Sequence, residues 1–290
     1  MESTGFNSAN IGIRLHDTVP GTLEQRAQAA LKQGFTCVHL ALGKVLDLSL
    51  MEPEKATPGL GTYVKKALNG LDAAVLGCYL NLAHPDEMVY RRTVLQYTAH
   101  LRLARFMDAG VVGTETGNPN AGYTYDPENS HSGEALELFI RRVKPVVEAA
   151  EKLGVILAIE PVYTHIVSDG KRARRVLDAV ASPSLQIILD PVNLLHPDNL
   201  FRRDEVIGEA IELLGRDTAV IHLKDYINEG QKGIRSVAAG LGEMDYTAVL
   251  RFALRHKPNI QMTLEDTLPD NARAAREHIA RLIAELSGNS

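Results

Sequence analysis

Eight short, apolar, β-rich runs alternate with helical stretches along this chain, and no other feature restricts the fold as strongly. The runs are IGIRL (11–15), TCVHLAL (36–42), AAVLGCYLNL (73–82), GVVGTE (110–115), VILAIE (155–160), LQIILD (185–190), AVIHLK (219–224) and IQMTLE (260–265). Between them, apolar residues recur at roughly the 3.6-residue helical period. Leu136, Phe139, Ile140, Val143, Val146, Val147 and Ala150 do so within 134–150, and Ala275, Ile279, Leu282, Ile283 and Leu286 within 271–286. A short helix is expected over 245–255, with Asp245 as its N-cap.

Eight strand–helix units in 290 residues predict an α/β fold. A single-domain (β/α)8 TIM barrel over residues 1–290 suits the pattern better than a doubly wound sheet. No strand-to-helix turn carries the glycine fingerprint of a dinucleotide site. The GLG at 240–242 reads as loop chemistry instead.

Composition narrows the function classes. Net charge is −5, tryptophan is absent and aromatics make up only 5%, which argues against nucleic-acid binding. The one dense basic run, GKRARR (170–175), reads as a solvated helix face. No apolar run approaches ~18 residues, so no membrane span is expected. The polar start has no signal-peptide pattern, and Cys37 and Cys78 lie in apolar runs as small buried hydrophobes would. A cytoplasmic protein is the expectation.

The strand ends carry the chemistry. In a barrel of this type, reactive side chains project from the C-terminal ends of the strands. The last four runs end in Glu160, Asp190, His222 and Glu265. Strand alternation turns Ala158 and Ile156 inward with Glu160, and Val220 and Lys224 inward with His222. Three carboxylates on one rim repel each other. Either each serves a separate cap or ion pair, or one divalent cation holds all four groups. Three oxygen donors and one nitrogen suit Mn²⁺, Mg²⁺ or Co²⁺.

LAIEP, LDPVN, HLKD and TLED, with GLGEMDY after the seventh run, resemble the xylose isomerase-like TIM-barrel superfamily, in particular its sugar phosphate isomerase/epimerase branch. The resemblance spans the barrel and is strongest over 150–266. It implies that Glu160, Asp190, His222 and Glu265 bind one divalent metal, Mn²⁺ foremost. It also implies an isomerase or epimerase of a sugar or sugar derivative working through an enediolate, with the metal chelating carbonyl and hydroxyl oxygens. Glu160 and Glu265 inherit the proton-transfer role, with His165 and Lys224 as further catalytic candidates. Arg14, His39, Asn81, Glu115 and Asn193 are candidate substrate contacts, and His16, His84 and His196 also fall at or past strand ends.

The sequence departs from the pattern in two ways. Ile166 and Asn228 stand where the family's ketose 3-epimerases carry glutamate and arginine, so free-ketose 3-epimerisation is not assigned. Asn193 replaces a histidine common among relatives. The alternative reading is a metal-dependent lyase or dehydratase acting on a keto-sugar, keto-glycoside or inosose by β-elimination from the same enolate. An abasic-site endonuclease would need more ligand histidines and a basic face. A non-catalytic sugar-binding protein would not need the four-residue set. No Gly-rich phosphate cradle is present. The partner expected is a small carbohydrate, with self-association into a dimer or tetramer as in related barrels. Two long loops, 225–243 and 117–132, are expected to form a lid and the wall opposite it.

Overall fold

A computed structural model of the chain describes residues 10–47 and 52–288, with Gln231 in its backbone only. The strands are β1 (Ile11–Arg14), β2 (Cys37–Leu40), β3 (Asp72–Gly77), β4 (Val111–Glu115), β5 (Ile156–Glu160), β6 (Leu185–Leu189), β7 (Thr218–Leu223), β8 (Asp225–Asn228), β9 (Ile234–Val237) and β10 (Gln261–Leu264). The helices are α1 (Leu23–Lys32), α2 (Leu42–Val45), α3 (Pro58–Ala67), α4 (Glu87–Met107), α5 (Pro127–Ser130), α6 (Gly133–Leu153), α7 (Gly170–Val180), α8 (Arg203–Leu214), α9 (Thr247–His256) and α10 (Ala272–Gly288). Eight parallel strands close in the order β1-β10-β7-β6-β5-β4-β3-β2. This is the (β/α)8 barrel that the alternation predicts, and each of the eight apolar runs supplies one barrel strand.

Side-chain alternation divides the core into two layers. Cys37, Ala74, Val75, Val111, Ala158, Ile188 and Val220 fill the barrel interior, with Ile156 packed against them. The intervening residues, such as Leu157, Ile159 and Ile221, pack outward against the helices. So Glu160 continues the inward row of Ile156 and Ala158, and His222 continues that of Val220. Local chemistry starts the helices where the pattern requires. Thr22 closes a capping box with Gln25, and the side chains of Asp86, Ser132 and Asp169 cap α4, α6 and α7. Both cysteines are free and buried. Among the described residues, no helix is long and apolar enough to cross a membrane.

Three details differ from expectation. The cap of α9 is Tyr246, one residue later than expected, although Asp245 still accepts the Thr247 N–H at 2.8 Å. The basic run is only partly a solvated face. Arg172 turns inward and donates to the carbonyls of Ile166 (2.6 Å), His131 (3.0 Å) and Ser132 (3.0 Å), tying three loop positions together. The 225–243 loop contains the antiparallel β8–β9 hairpin, which a strand pattern of four residues per side does not announce. The hairpin is anchored below by Asp225, a buried carboxylate that accepts the N–H groups of Gly240 (3.0 Å) and Met244 (2.8 Å). The GLG segment thus wraps Asp225. Gly240 adopts φ +87°, a conformation that favours glycine there.

Candidate metal centre at the barrel mouth

Glu160, Asp190, His222 and Glu265 converge at the C-terminal mouth, and one ligand atom of each lies within 4.8 Å of every other. All four are buried, at 2%, 1%, 0% and 4% exposure, so no bulk solvent screens them. The His222 Nδ1 is 3.2 Å from Glu160 Oε1 and 3.3 Å from Glu265 Oε1. Asp190 is fixed from behind, its Oδ1 accepting the N–H groups of Val192 (2.9 Å) and Asn193 (3.2 Å). Lys224 reaches in from the same face as His222, 2.8 Å from Asp190 Oδ2 and 3.3 Å from Glu265 Oε2.

This donor set fits a divalent cation. Three buried carboxylates face one buried ammonium, and the Arg14 guanidinium that reaches Glu265 at 3.6 Å is shared with Asp17 and Asp266, so the ionised cluster carries an excess of negative charge in a low-dielectric pocket. Burial lowers His222, which keeps the imidazole in the neutral form that a metal needs. Burial and the charge of Glu265 push Glu160 up to about 7, and burial pushes Asp190 up to about 6 against the pull of Lys224. Burial would raise Glu265 too, but His222, Lys224, His39 and Arg14 hold it well below the usual carboxylate range. Lys224 stays charged against the effect of burial because Asp190, Glu265 and Glu160 surround it.

A cavity of about 220 Å³ opens above this cluster, and most of the sequence-predicted contacts line it: Arg14, His39, Glu115, Asn193 and Lys224, beside Glu160 and Glu265. Asn193 donates from Nδ2 to Glu160 Oε1 at 2.7 Å. His39 lies with Nδ1 3.3 Å from Glu265 Oε1 and its ring stacked on His222 at 5.1 Å. Arg14 bridges Asp17 (2.7 Å), Asp266 (2.6 Å) and Glu265 (3.6 Å). Asp266 holds φ +54°, a left-handed turn that an aspartate tolerates and that brings its carboxylate back to Arg14. Burial and the charge of Glu160 push Glu115 up to about 7.

Two candidates fall elsewhere. Asn81 is not on the cavity wall. Its amide donates to the carbonyls of Asn118 (2.9 Å) and Asn120 (3.0 Å), so it organises the 117–132 loop. His165 sits behind Glu115, 3.8 Å from its Oε2 and edge-on to Tyr123, and burial lowers it to about 4. His84 is likewise spent locally, accepting the Asp86 N–H at Nδ1 (3.1 Å).

Tyr79 and Lys44 line the cavity unforeseen; His16, expected at a strand end, lines it too and is held near 4 by burial and by Arg14. Tyr79 meets His39 Nε2 at 3.0 Å. Its position, two residues past the end of β3, was the available signal. The adjacent Gly77 permits the arrangement, because a Cβ there would come within 2.8 Å of His39 Nε2 and 2.7 Å of the Tyr79 ring.

Fold and site together define a (β/α)8 barrel with a buried carboxylate–histidine cluster at the C-terminal ends of its strands. The chain belongs to the xylose isomerase-like TIM-barrel family, whose match covers residues 27–284. It is similar to a 3-oxo-isoapionate decarboxylase of Pectobacterium atrosepticum, 28% identical over 257 residues that cover 87% of this chain and 78% of the relative. Among solved structures it resembles a 3-keto-D-glucoside 4-epimerase from E. coli, at 17% identity and TM-score 0.71, covering 95% of this chain and 99% of the other. It also resembles the IOLI protein carrying a zinc atom, at 15% identity and TM-score 0.71, covering 97% and 98%. At these identities the two structures speak for the fold.

Proposed function

We propose that this protein is a divalent-metal-dependent isomerase or epimerase of a small sugar or sugar derivative. The observation that carries this reading is the meeting of Glu160, Asp190, His222 and Glu265 around one point in a buried pocket. Those four residues would hold the ion. When bound, it stabilises negative charge developing on a carbonyl oxygen and a neighbouring hydroxyl, which makes the intervening C–H acidic.

The chain's own residues supply the rest. Glu160 and Glu265 are the proton carriers. Glu160 ends β5 and Glu265 directly follows β10, with β6 and β7 between these strands, so the two approach the pocket from different sides. Two carboxylates on different sides suit removal of a proton from one face of a carbon and its return to the other. Lys224 keeps a fixed positive charge beside the reacting oxygens and offers donors to a substrate hydroxyl. Asn193 orients Glu160 through the 2.7 Å hydrogen bond. Arg14, His39 and Glu115 contribute donors and acceptors to a polyhydroxylated ligand.

The similarity to a decarboxylase supports a second outcome from the same start, in which the carbanion arises by loss of carbon dioxide or expels a β-leaving group. Product analysis separates the two.

The test is elemental analysis of wild type and Asp190→Ala, then proton exchange in heavy water with a panel of ketoses, 3-keto-glycosides and 3-keto acids. The reading expects about one divalent metal per wild-type chain, lost in the variant. It also expects exchange that Glu160→Gln and Glu265→Gln each abolish. No metal uptake after Mn²⁺ addition would overturn it.

A further inference from the structure

Asn193 lines a second cavity of about 310 Å³, walled by Tyr163 and Thr164 from the loop after β5, His196 from the loop after β6, and Lys232 and Ser236 of the β8–β9 hairpin. Nothing in the chemistry described above uses it. Two of its lining residues are ring side chains, unusual for a chain so poor in aromatics. The rings of Tyr163 and His196 stack with centroids 4.3 Å apart and planes 5° from parallel. Asp198 clamps the pair, accepting from the Tyr163 hydroxyl at 3.2 Å and standing 3.0 Å from His196 Nδ1. His131 and Tyr125 buttress Tyr163 edge-on, and the His131 Nε2 is 2.7 Å from the Tyr163 carbonyl. Four rings from three separate loops are therefore locked into one half-buried assembly.

We propose that this cavity is an outer subsite that takes a second, hydroxylated sugar ring, so that the substrate is a glycoside larger than a monosaccharide. Saturated sugar rings present C–H faces that pack on rigid aromatic rings, while their equatorial hydroxyls seek polar groups at the edge. Here Thr164, Ser236, Lys232 and Asn193 supply that polar edge. Lys232 makes no ion pair among the described residues, and Asp198 adds an acceptor beside the stacked rings. The inner cavity, at about 220 Å³, falls short of the ~300 Å³ at which ligand pockets usually begin. It accommodates a reacting unit and little more. Asn193 belongs to both walls, so the ring in the outer cavity and the group that holds Glu160 are coupled through one side chain.

This inference rests on the reading of the inner pocket as a sugar site, and the experiment keeps the two apart. The full chain, supplied with Mn²⁺, is titrated calorimetrically with cellobiose, maltose and xylobiose, and with glucose and xylose. At least one disaccharide is expected to bind about tenfold tighter than its monosaccharide, the ratio one good aromatic contact supplies. Tyr163→Ala removes that gap and leaves monosaccharide binding and manganese content unchanged. Ser236→Trp, at an exposed position, fills the cavity without removing a packed group and has the same effect. The proposal fails if no disaccharide exceeds its monosaccharide in the wild type, or if the gap survives both variants. A wild type that binds a disaccharide through Tyr163 but takes up no manganese would sink the metal reading and leave the subsite standing.

Discussion

The ammonium of Lys224 stands 2.8 Å from Asp190 Oδ2, and both side chains are buried, at 6% and 0% exposure. Without a cation in the pocket, this lysine is the chief counter-charge for three carboxylates. Removing one partner of a buried pair leaves the other uncompensated, at about 3–5 kcal/mol. Lys224→Met is therefore expected to destabilise the metal-free chain by that order, and saturating Mn²⁺ to restore much of the loss. Urea denaturation with chelator and with Mn²⁺ measures both. Equal losses under the two conditions would show that Lys224 acts only through packing.

Glu160 gives a pH-dependent signature. It lies near 7 in the fold against an ordinary value of 4.5, so between those values the folded state binds more protons than the unfolded one. Its contribution to stability falls as pH rises through that window. Below 6.5 the buried histidines, lowered in the fold, add a dependence of the opposite sign. Comparing wild type with Glu160→Gln cancels them. In chelator, the variant should exceed wild type by up to about 3 kcal/mol above pH ~7, with the advantage shrinking towards pH ~4.5. Glu265, held well below its ordinary value, contributes stability that is lost only at lower pH and does not enter this window. A pH-independent difference would contradict the buried-carboxylate account.

Asn193 orients a candidate ligand without being one. Second partners of this kind set metal affinity by about ten- to a hundredfold. Asn193→Ala should weaken Mn²⁺ binding by that range while the barrel melts normally. Competition against a fluorescent chelator gives the number, and unchanged affinity would remove the residue from the site's support.

Gly77 is a packing requirement of the pocket. Gly77→Ala drives a methyl into His39 Nε2 and the Tyr79 ring, at 2.8 and 2.7 Å. Overpacking of this kind costs about 1–3 kcal/mol. Because His39 contacts both His222 and Glu265, metal affinity should fall together with thermal stability. A fall in stability alone would separate Gly77 from the centre.

Arg172 is a structural tie. Three carbonyls depend on its guanidinium, those of Ile166, His131 and Ser132. Arg172→Ala should cost about 2 kcal/mol or more, given the strength of hydrogen bonds to charged donors. Amide exchange should accelerate around residues 131–132 and 166 before the barrel strands open. Uniform acceleration would show that the loops are held by other means.

Much of this was legible in the sequence. Strand and helix periodicities are local, and in a parallel barrel both faces of every strand are buried, so Ile187, Ile188 and Leu189 announce a strand without their neighbours. The same alternation places Glu160 and His222 on the inward row, because side chains two apart share a face. What periodicity cannot carry is the meeting of residues far apart in the chain. Asn81 looks like a site residue until the fold commits its amide to Asn118 and Asn120. Tyr79 enters the pocket through its contact with His39, and Lys44 lines it beside His16. The β8–β9 hairpin is too short to have a period of its own, and its place is decided by the buried Asp225. The stack of Tyr163 on His196 joins two loops that the pairing of β5 with β6 brings together, with ring centroids 4.3 Å apart. Sequence by itself determined the barrel and the row of candidate ligands around its rim; the tertiary structure decided which polar side chains were consumed in holding loops and which were left facing the cavity, since hydrogen-bond partners are assigned only when distant segments meet.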